Sequence, residues 1–399
     1  MFNKLIKDEE IKFVFLEFSD LFGVVKGIYL PINKLNNALK SGVNLDGSSI
    51  KCLAKTRNSD KILMVDKSSF YLLPNNVLAF VCNLKSSFDT GTNLKKICNK
   101  FYKKGYQIMV GAELEFFLFE QKDPKADLNQ LEYVGYFSEI NIKKLNALNE
   151  IANFLNEQGF EVETIHHECA KNQYELNFKF DTPIQIANKV TVAKQIIKHI
   201  AKKHNLYASF MPKPIEGLAG SGMHINISVW KNGKNIFYDK LKVGNLSDFA
   251  RKFTEGVANH IGAICAFSNQ NINSYKRLRA KMETPINVKI GYKDRLSAFR
   301  VPSFNENSAR VEFRFPDISC QIYLTLSSML MSAYENLFLK NSSLEKFEIL
   351  PKNLLESLTY LKNDKLLSRL VPKSYFSEIQ NQINEYESQI TKFEIDNYL

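Results

Sequence analysis

Residues 111–117 read GAELEFF. Glu113 and Glu115 stand two apart in an apolar run, so on a strand both carboxylates point to one face, roughly 7 Å apart along the chain. Leu114, Phe116 and Phe117 want burial. Two like charges on a half-buried face repel, and one takes up a proton unless something neutralises them. The fold must place a partner opposite Glu113 and Glu115.

Outward from this stretch, YQIMVGAELEFFLFE reads as a buried strand. TNLKKICNKFYKKG before it is a helix, with Thr92 or Asn93 as N-cap and Gly105 beyond its end. INIKKLNALNEIANFLNEQG is an amphipathic helix that stops at a glycine. FEVETIHHE and QYELNFKF are two more strands, and PIQIANKVTVAKQIIKHIAKKHN is a long helix. GSGMHINISVW gives loop and strand, SDFARKFTEGVANHIGAICAFS gives helices, and SARVEFRF alternates strictly. Upstream, IKFVFLEFSDLFGVVKGIYL reads as two strands around a turn, PINKLNNALKSG as a helix and NLDGSSI as a polar loop. KILMVD and VLAFVCNL read as further strands. The order is a small α+β unit followed by one large α+β domain.

The chemistry gathers on strands. Glu168 follows His166 and His167, and Glu175 begins YELNF. His224 follows a glycine-rich stretch, and Glu312 alternates with Arg310 and Arg314, so these three share a face. Many oxygens and at most one imidazole suit a hard divalent ion, Mg²⁺ or Mn²⁺. Each signal alone has a plainer reading. An acidic pair on a strand is more often a solvent-facing edge, and a lone histidine is more often a hydrogen-bonded core residue. GSG without a following GK[ST] helix is only a loop.

Bulk properties exclude other classes. The 399 residues are 45% apolar and 24% charged, enough for a large core. The net charge of +11 is spread over short, scattered Lys/Arg groups without zinc-finger spacing, so no nucleic-acid partner is expected. No apolar run approaches bilayer length, the start turns charged too soon for a secretory signal, and six widely spaced cysteines include no Cys-x-x-Cys. A cytoplasmic protein with reduced thiols and no membrane partner is the expectation.

Taken in order, FLEFSDLFGVVKG, NLDGSSI, GAELEFFLF, HHECAKNQYELNF, FMPKPIEGLAGSGMHINIS, NSYKRL, DRLSAFRVP and ARVEFRFPD resemble the glutamine synthetase family, class I type, from about residue 10 to residue 325. The resemblance implies an N-terminal β-grasp-like domain over residues 1–92. A catalytic ATP-binding domain over residues 93–399 would carry a curved antiparallel sheet flanked by helices. It implies two or more Mg²⁺ or Mn²⁺ per site, one held by Glu115, Glu168 and Glu175 and another by Glu113, His224 and Glu312. ATP and glutamate would be substrates. Arg277, Arg314 and Gly220 would hold glutamate, and Arg295 and Arg300 would face the phosphates. Phe180, Ser228 and Arg310 would lie on the nucleotide side. Asp46, with Ser49 nearby, would bind and deprotonate ammonium from a neighbouring subunit, and Glu283 would close the ammonium pocket. The implied assembly is a homo-oligomer, a double ring of twelve.

Several positions depart from the family pattern. Ala219 replaces an asparagine near the glutamate site, and AGSGMH with NVKIGYKDR is similar to the γ-glutamyl-amine ligases. Glu283, Asp46 and VEFRFPD follow the synthetase version. The flap reads LRAKMETP, with Arg279 and Lys281 added; Leu53 stands in place of an indole, DISCQIYL replaces DPAANPYL, and Asn226 stands where many members carry histidine. The segment that carries a regulatory tyrosine is trimmed to NSSLEKFEILPKN, so no adenylylation is expected there.

Overall fold

The structure, a computed structural model, describes residues 6–7, 10–124, 135–279, 283–339, 347–390 and 394–395. Lys281 of the flap and residues 341–346 of the trimmed segment lie outside the described residues.

Period-2 hydrophobicity builds the first sheet. Its strands are β1 (Phe13–Ser19), β2 (Val25–Pro31), β3 (Val43–Asp46), β4 (Asp60–Leu73) and β5 (Val77–Leu84), in the order β2-β1-β5-β4-β3. The Asp20 carboxylate accepts the N–H groups of Phe22 and Val24, and Gly23 takes a left-handed φ of 73°, which closes the β1–β2 hairpin. Val14, Leu16 and Phe18 bury against the helix Leu35–Ser41. Phe15, Tyr71, Ala79 and Val81 on the other face join the large core, so the small sheet is apolar on both sides and docks onto the rest of the chain. Leu53, in the indole's place, packs into the small core.

The following helix spans Thr90–Tyr102, and its cap corrects the expectation: it is Asp89, not Thr92 or Asn93. One Asp89 oxygen accepts the Thr92 N–H at 2.6 Å and the other accepts the Leu84 N–H at 2.7 Å. A carboxylate that serves both strand end and helix start wins over the hydroxyl one turn later. A boundary at 92/93 would fall inside this helix.

Among the described residues nine strands form the second sheet: β6 (Gln107–Phe119), β7 (Val162–His167), β8 (Gln173–Phe178), β9 (Tyr207–Ser209), β10 (Met223–Lys231), β11 (Lys234–Asn235), β12 (Asn287–Tyr292), β13 (Ser297–Val301) and β14 (Val311–Phe313). The main path runs β12-β13-β14-β10-β6-β8-β7. It is not antiparallel throughout, because β12 and β13 pair in parallel. The alternation in SARVEFRF yields only three strand residues, yet Val311 and Phe313 still point into the core.

Helices Pro183–Lys203, Asp248–Asn259, Ile261–Ser268 and Ile322–Tyr334 contribute to the large core with the sheet's apolar side chains. The helical run after residue 247 breaks at His260, whose ring contacts Asp364 Oδ2 at 2.6 Å and Glu335 Oε2 at 3.0 Å. Among the described residues no helix is long and apolar enough to cross a membrane.

Candidate active site

Strand register assembles the polar face. Ala112, Leu114 and Phe116 of β6 point into the core, which leaves Glu113 and Glu115 on the opposite side. Glu113 lies across from His224 on β10, and Glu115 from Glu175 on β8. His166 on β7 faces Glu175, Asn226 on β10 faces Glu312 on β14, and Glu312 faces Arg300 on β13. Six strands thus put acids, two histidines and an arginine in one cross-strand field, and Glu168 joins it from just beyond β7.

These groups line a funnel of about 690 Å³ that includes all six expected ligands with Gly220, Arg277, Glu283, Arg295, Arg300 and Arg314. His224 Nδ1 is 2.9 Å from Glu113 Oε2 and 3.7 Å from Glu312 Oε1, and Nε2 is 3.7 Å from Glu115 Oε1. Ligand atoms of Glu113, Glu175 and His224 come within 4.8 Å of one another, as do those of His166, Glu168 and Glu175. These close groups cut across the two triads that the resemblance implies. Glu312 is drawn toward Arg300 and Arg314, each at 2.5 Å, while His166 pulls Glu175 from the other side.

The crowding shows in the proton affinities. Burial, with the Glu175 charge added, pushes Glu115 up. Burial and the Glu115 and Glu175 charges push Glu168 to about 8. Burial also opposes the charge on Glu175, but the His166 hydrogen bond and His224 outweigh it and hold Glu175 below the usual carboxylate range. Glu312 is likewise lowered against burial, by His224, Arg314 and Arg300. His224 is raised despite burial and Arg314, because Glu113 and Glu115 face it.

The glycine-rich stretch closes one wall. Gly222 N–H donates to Glu115 Oε2 at 2.7 Å. A Cβ on Gly222 would meet Arg277 Nη2 at 2.6 Å, His224 Nε2 at 3.1 Å and Glu115 Oε1 at 3.2 Å, so only glycine fits. Arg277 is buried, with its guanidinium donating to the carbonyls of Arg314, Phe315 and Pro316. Arg314 donates to the carbonyls of Arg295 and Glu283. At the rim, Glu283 pairs with Arg295 at 3.0 Å, and the Arg295 guanidinium lies 5.8 Å from the centre of the Tyr136 ring.

A second cavity of about 410 Å³ holds Phe180, Ser228 and Arg310, and shares Glu113, Thr164 and Asn177 with the funnel. Asn226 joins the two: it donates to Glu113 at 2.9 Å and accepts from Arg310 at 3.0 Å. Arg300 Nε is a buried donor with no partner among the described residues.

Asp46 and Ser49 are not part of this funnel. They sit exposed at the end of β3, where Asp46 accepts from Ser48 and Ser49, and those hydrogen bonds lower its proton affinity. Sequence reasoning passed over Gly222, Tyr136, His166 and Gln173, and discounted Asn226. His166 was signalled by its i, i+2 relation to Glu168 and Gln173 by the same relation to Glu175, whereas Tyr136 carried no period of its own.

A small two-faced sheet docked on the rest of the chain, with an acid-lined funnel beside a second cavity, makes a two-part α+β fold with a concentrated acidic site. The chain belongs to the glutamine synthetase family. Residues 10–87 match the family described as glutamine synthetase, beta-Grasp domain, and residues 88–398 match glutamine synthetase, catalytic domain. A glutamine synthetase of Pyrococcus horikoshii is 33% identical over 413 residues, covering 98% of this chain and 92% of the relative. One from Clostridium saccharobutylicum is 33% identical over 430 residues, covering 99% and 97%. Two solved structures share the fold. A Plasmodium falciparum glutamine synthetase has a TM-score of 0.88 at 24% identity, with 100% and 98% covered. A GmaS–ADP complex has a TM-score of 0.90 at 23% identity, with 99% and 98% covered.

Proposed function

We propose that the chain ligates ammonia to the side-chain carboxylate of L-glutamate, using ATP through a γ-glutamyl phosphate and giving L-glutamine, ADP and phosphate. The observation that carries this is Glu283, an acid held by Arg295 at the funnel rim beside the Glu168 cluster. An ammonium ion needs such an anionic pocket, and a bulky amine would have to displace it.

The donor set fits hard divalent cations. Oxygens dominate, one imidazole is central, and the raised Glu115 and Glu168 are what a cation would relieve. Glu113, Glu115, Glu168, Glu175, His224 and Glu312 would hold Mg²⁺ or Mn²⁺. Such ions neutralise charge on phosphate oxygens as phosphoryl transfer proceeds. Arg277, Arg314 and Gly220 bind glutamate in this reading, and Arg295 and Arg300 face the phosphoryl group. The unpartnered Nε of Arg300 supports an anion there. The second cavity takes the nucleotide, with Phe180 against the base and Ser228 and Arg310 beside it.

The carboxylate oxygen of glutamate takes the γ-phosphoryl group and ADP leaves. The bound ammonium ion gives one proton to a carboxylate, the resulting ammonia nitrogen attacks the carbonyl carbon, phosphate departs, and the second excess proton passes to another carboxylate. A neighbouring subunit's copy of Asp46 and Glu283 serve as those bases, which makes a homo-oligomer, a dodecamer in this reading, a condition of activity.

Ala219 favours a second reading. Ala219, Leu218, Tyr136 and Phe137 all line the funnel and give it apolar wall, which suits a γ-glutamyl-amine ligase. Phosphate release with ATP, Mg²⁺ and glutamate, compared across ammonium, putrescine, ethanolamine and isopropylamine, separates the two. Ammonium as best acceptor, with Glu283→Ala losing ammonium use selectively, supports glutamine synthesis. A larger amine as best acceptor refutes it.

A further inference from the structure

Gln173 is only 1% exposed, and no step above uses it. It begins β8, directly after the turn that follows Glu168. Its Oε1 accepts the Ala170 N–H at 3.1 Å. Its Nε2 donates to Glu115 Oε2 at 3.3 Å and to the Gly220 carbonyl at 3.0 Å. The Glu168 N–H donates to the Gln173 carbonyl at 2.8 Å. One side chain therefore ties together three pieces of the site: an acid of the cluster, the glycine-rich wall and the turn that carries Glu168.

The turn is itself anchored from behind. Asn172 takes a left-handed φ of 63°, its carbonyl accepts the Leu118 N–H of β6, and its side chain accepts from the buried Lys144 at 2.5 Å. Gln173 thus has little freedom to follow a moving partner. Glu115 Oε2 takes two donors, from Gln173 and Gly222, and this aims Oε1 at His224.

We propose that Gln173 is a positioning residue that couples divalent-cation binding at Glu115 to glutamate binding at the glycine-rich wall. The inference rests on the ligand reading under Proposed function. Both Nε2 protons are spent, one on each side, so a shift of Glu115 is felt at the Gly220 carbonyl and the reverse. Linkage makes the effect reciprocal: glutamate tightens cation binding by the same factor by which the cation tightens glutamate binding. Removing a hydrogen-bond partner of a metal ligand weakens metal binding by about 10–100-fold in general.

The test is calorimetric titration of the intact oligomer with Mn²⁺, with and without saturating glutamate and with no nucleotide. Gln173→Leu is expected to weaken Mn²⁺ binding at least about tenfold and to abolish its dependence on glutamate. Gln173→Met keeps the length and bulk without charge but removes both Nε2 donors, and is expected to behave as leucine does. If Gln173 only fills space, Gln173→Met restores wild-type affinity and coupling, and the proposal is overturned. It is equally overturned if Gln173→Leu, with an unchanged melting temperature, keeps both. Wild-type protein that binds no Mn²⁺ overturns the ligand reading and this inference with it.

Discussion

Gly222→Ala adds one methyl group and tests the reading of the glycine-rich wall. The new Cβ would lie 2.6 Å from Arg277 Nη2, where ordinary contact begins at 3.4 Å, so the pair must part by about 0.8 Å. Arg277 cannot swing away, because three of its hydrogen bonds go to backbone carbonyls of residues 314–316. The methyl cannot retreat, because His224 and Glu115 stand at 3.1 and 3.2 Å on its other sides. The strain falls on the group expected to hold glutamate and on two expected cation ligands together. Overpacking of this kind costs about 1–3 kcal/mol of stability, a melting temperature lower by a few degrees. A displacement near 1 Å at a reacting site costs about 10²-fold in rate. The expected outcome is kcat/KM for glutamate down about 10²-fold, near 2.7 kcal/mol of transition-state stabilisation, in a folded protein. Glutamate-dependent phosphate release and a thermal melt measure the two. Activity within threefold of wild type would refute the steric argument.

Cation affinity should rise with pH. Bound ligands must be unprotonated, and Glu115 and His224 are raised while Glu168 is pushed to about 8. Mn²⁺ binding should therefore tighten up to about pH 8 and release protons, seen by calorimetry in buffers of different ionisation heat; a flat profile would contradict this. Glu17, buried on β1, accepts from Gln195 at one oxygen and is raised to about 7 by burial. A folded-state pKa above the unfolded value favours folding below pH 4.5, and the benefit is lost as pH rises through about 7. The loss amounts to about 3 kcal/mol. Glu17→Gln should flatten that slope in urea unfolding at acid and alkaline pH, and an unchanged slope would count against it. Asp46 lies outside its own chain's funnel, so Asp46→Ala and Glu312→Gln should each be inactive, and mixed oligomers of the two should regain activity. An active Asp46→Ala would place Asp46 outside the chemistry, and mixtures that stay inactive would refute its action in a neighbouring subunit's funnel.

Much of the fold was legible because most segments carry a single period. Helices 142–157 and 183–203 and strands β6, β8 and β10 came directly from apolar spacing. Legibility failed where a local rule met a competing partner. Asp89 outbid Thr92 as a cap because Leu84 also needed an acceptor. KSSFYLL hid the second half of the 14-residue β4, because its polar start resembles a loop until β5 pairs with it. The parallel β12–β13 pair was invisible, since direction is not encoded in a strand's own alternation.

The sequence by itself determined which residue types share a face. Glu113 with Glu115, and Arg310 with Glu312 and Arg314, follow from a period of two whatever the partners are. Family membership followed from eight ordered motifs for the same reason: local residue types and their order survive without knowledge of contacts. Only the tertiary structure decided which strands lie side by side and in what register. That register set His224 against Glu113, His166 against Glu175 and Arg300 against Glu312. It also left no room for a methyl group at Gly222 and spent both Gln173 donors. Proton affinities, steric room and hydrogen-bond satisfaction depend on distances between residues far apart in the chain, and those distances exist only once the sheet has formed.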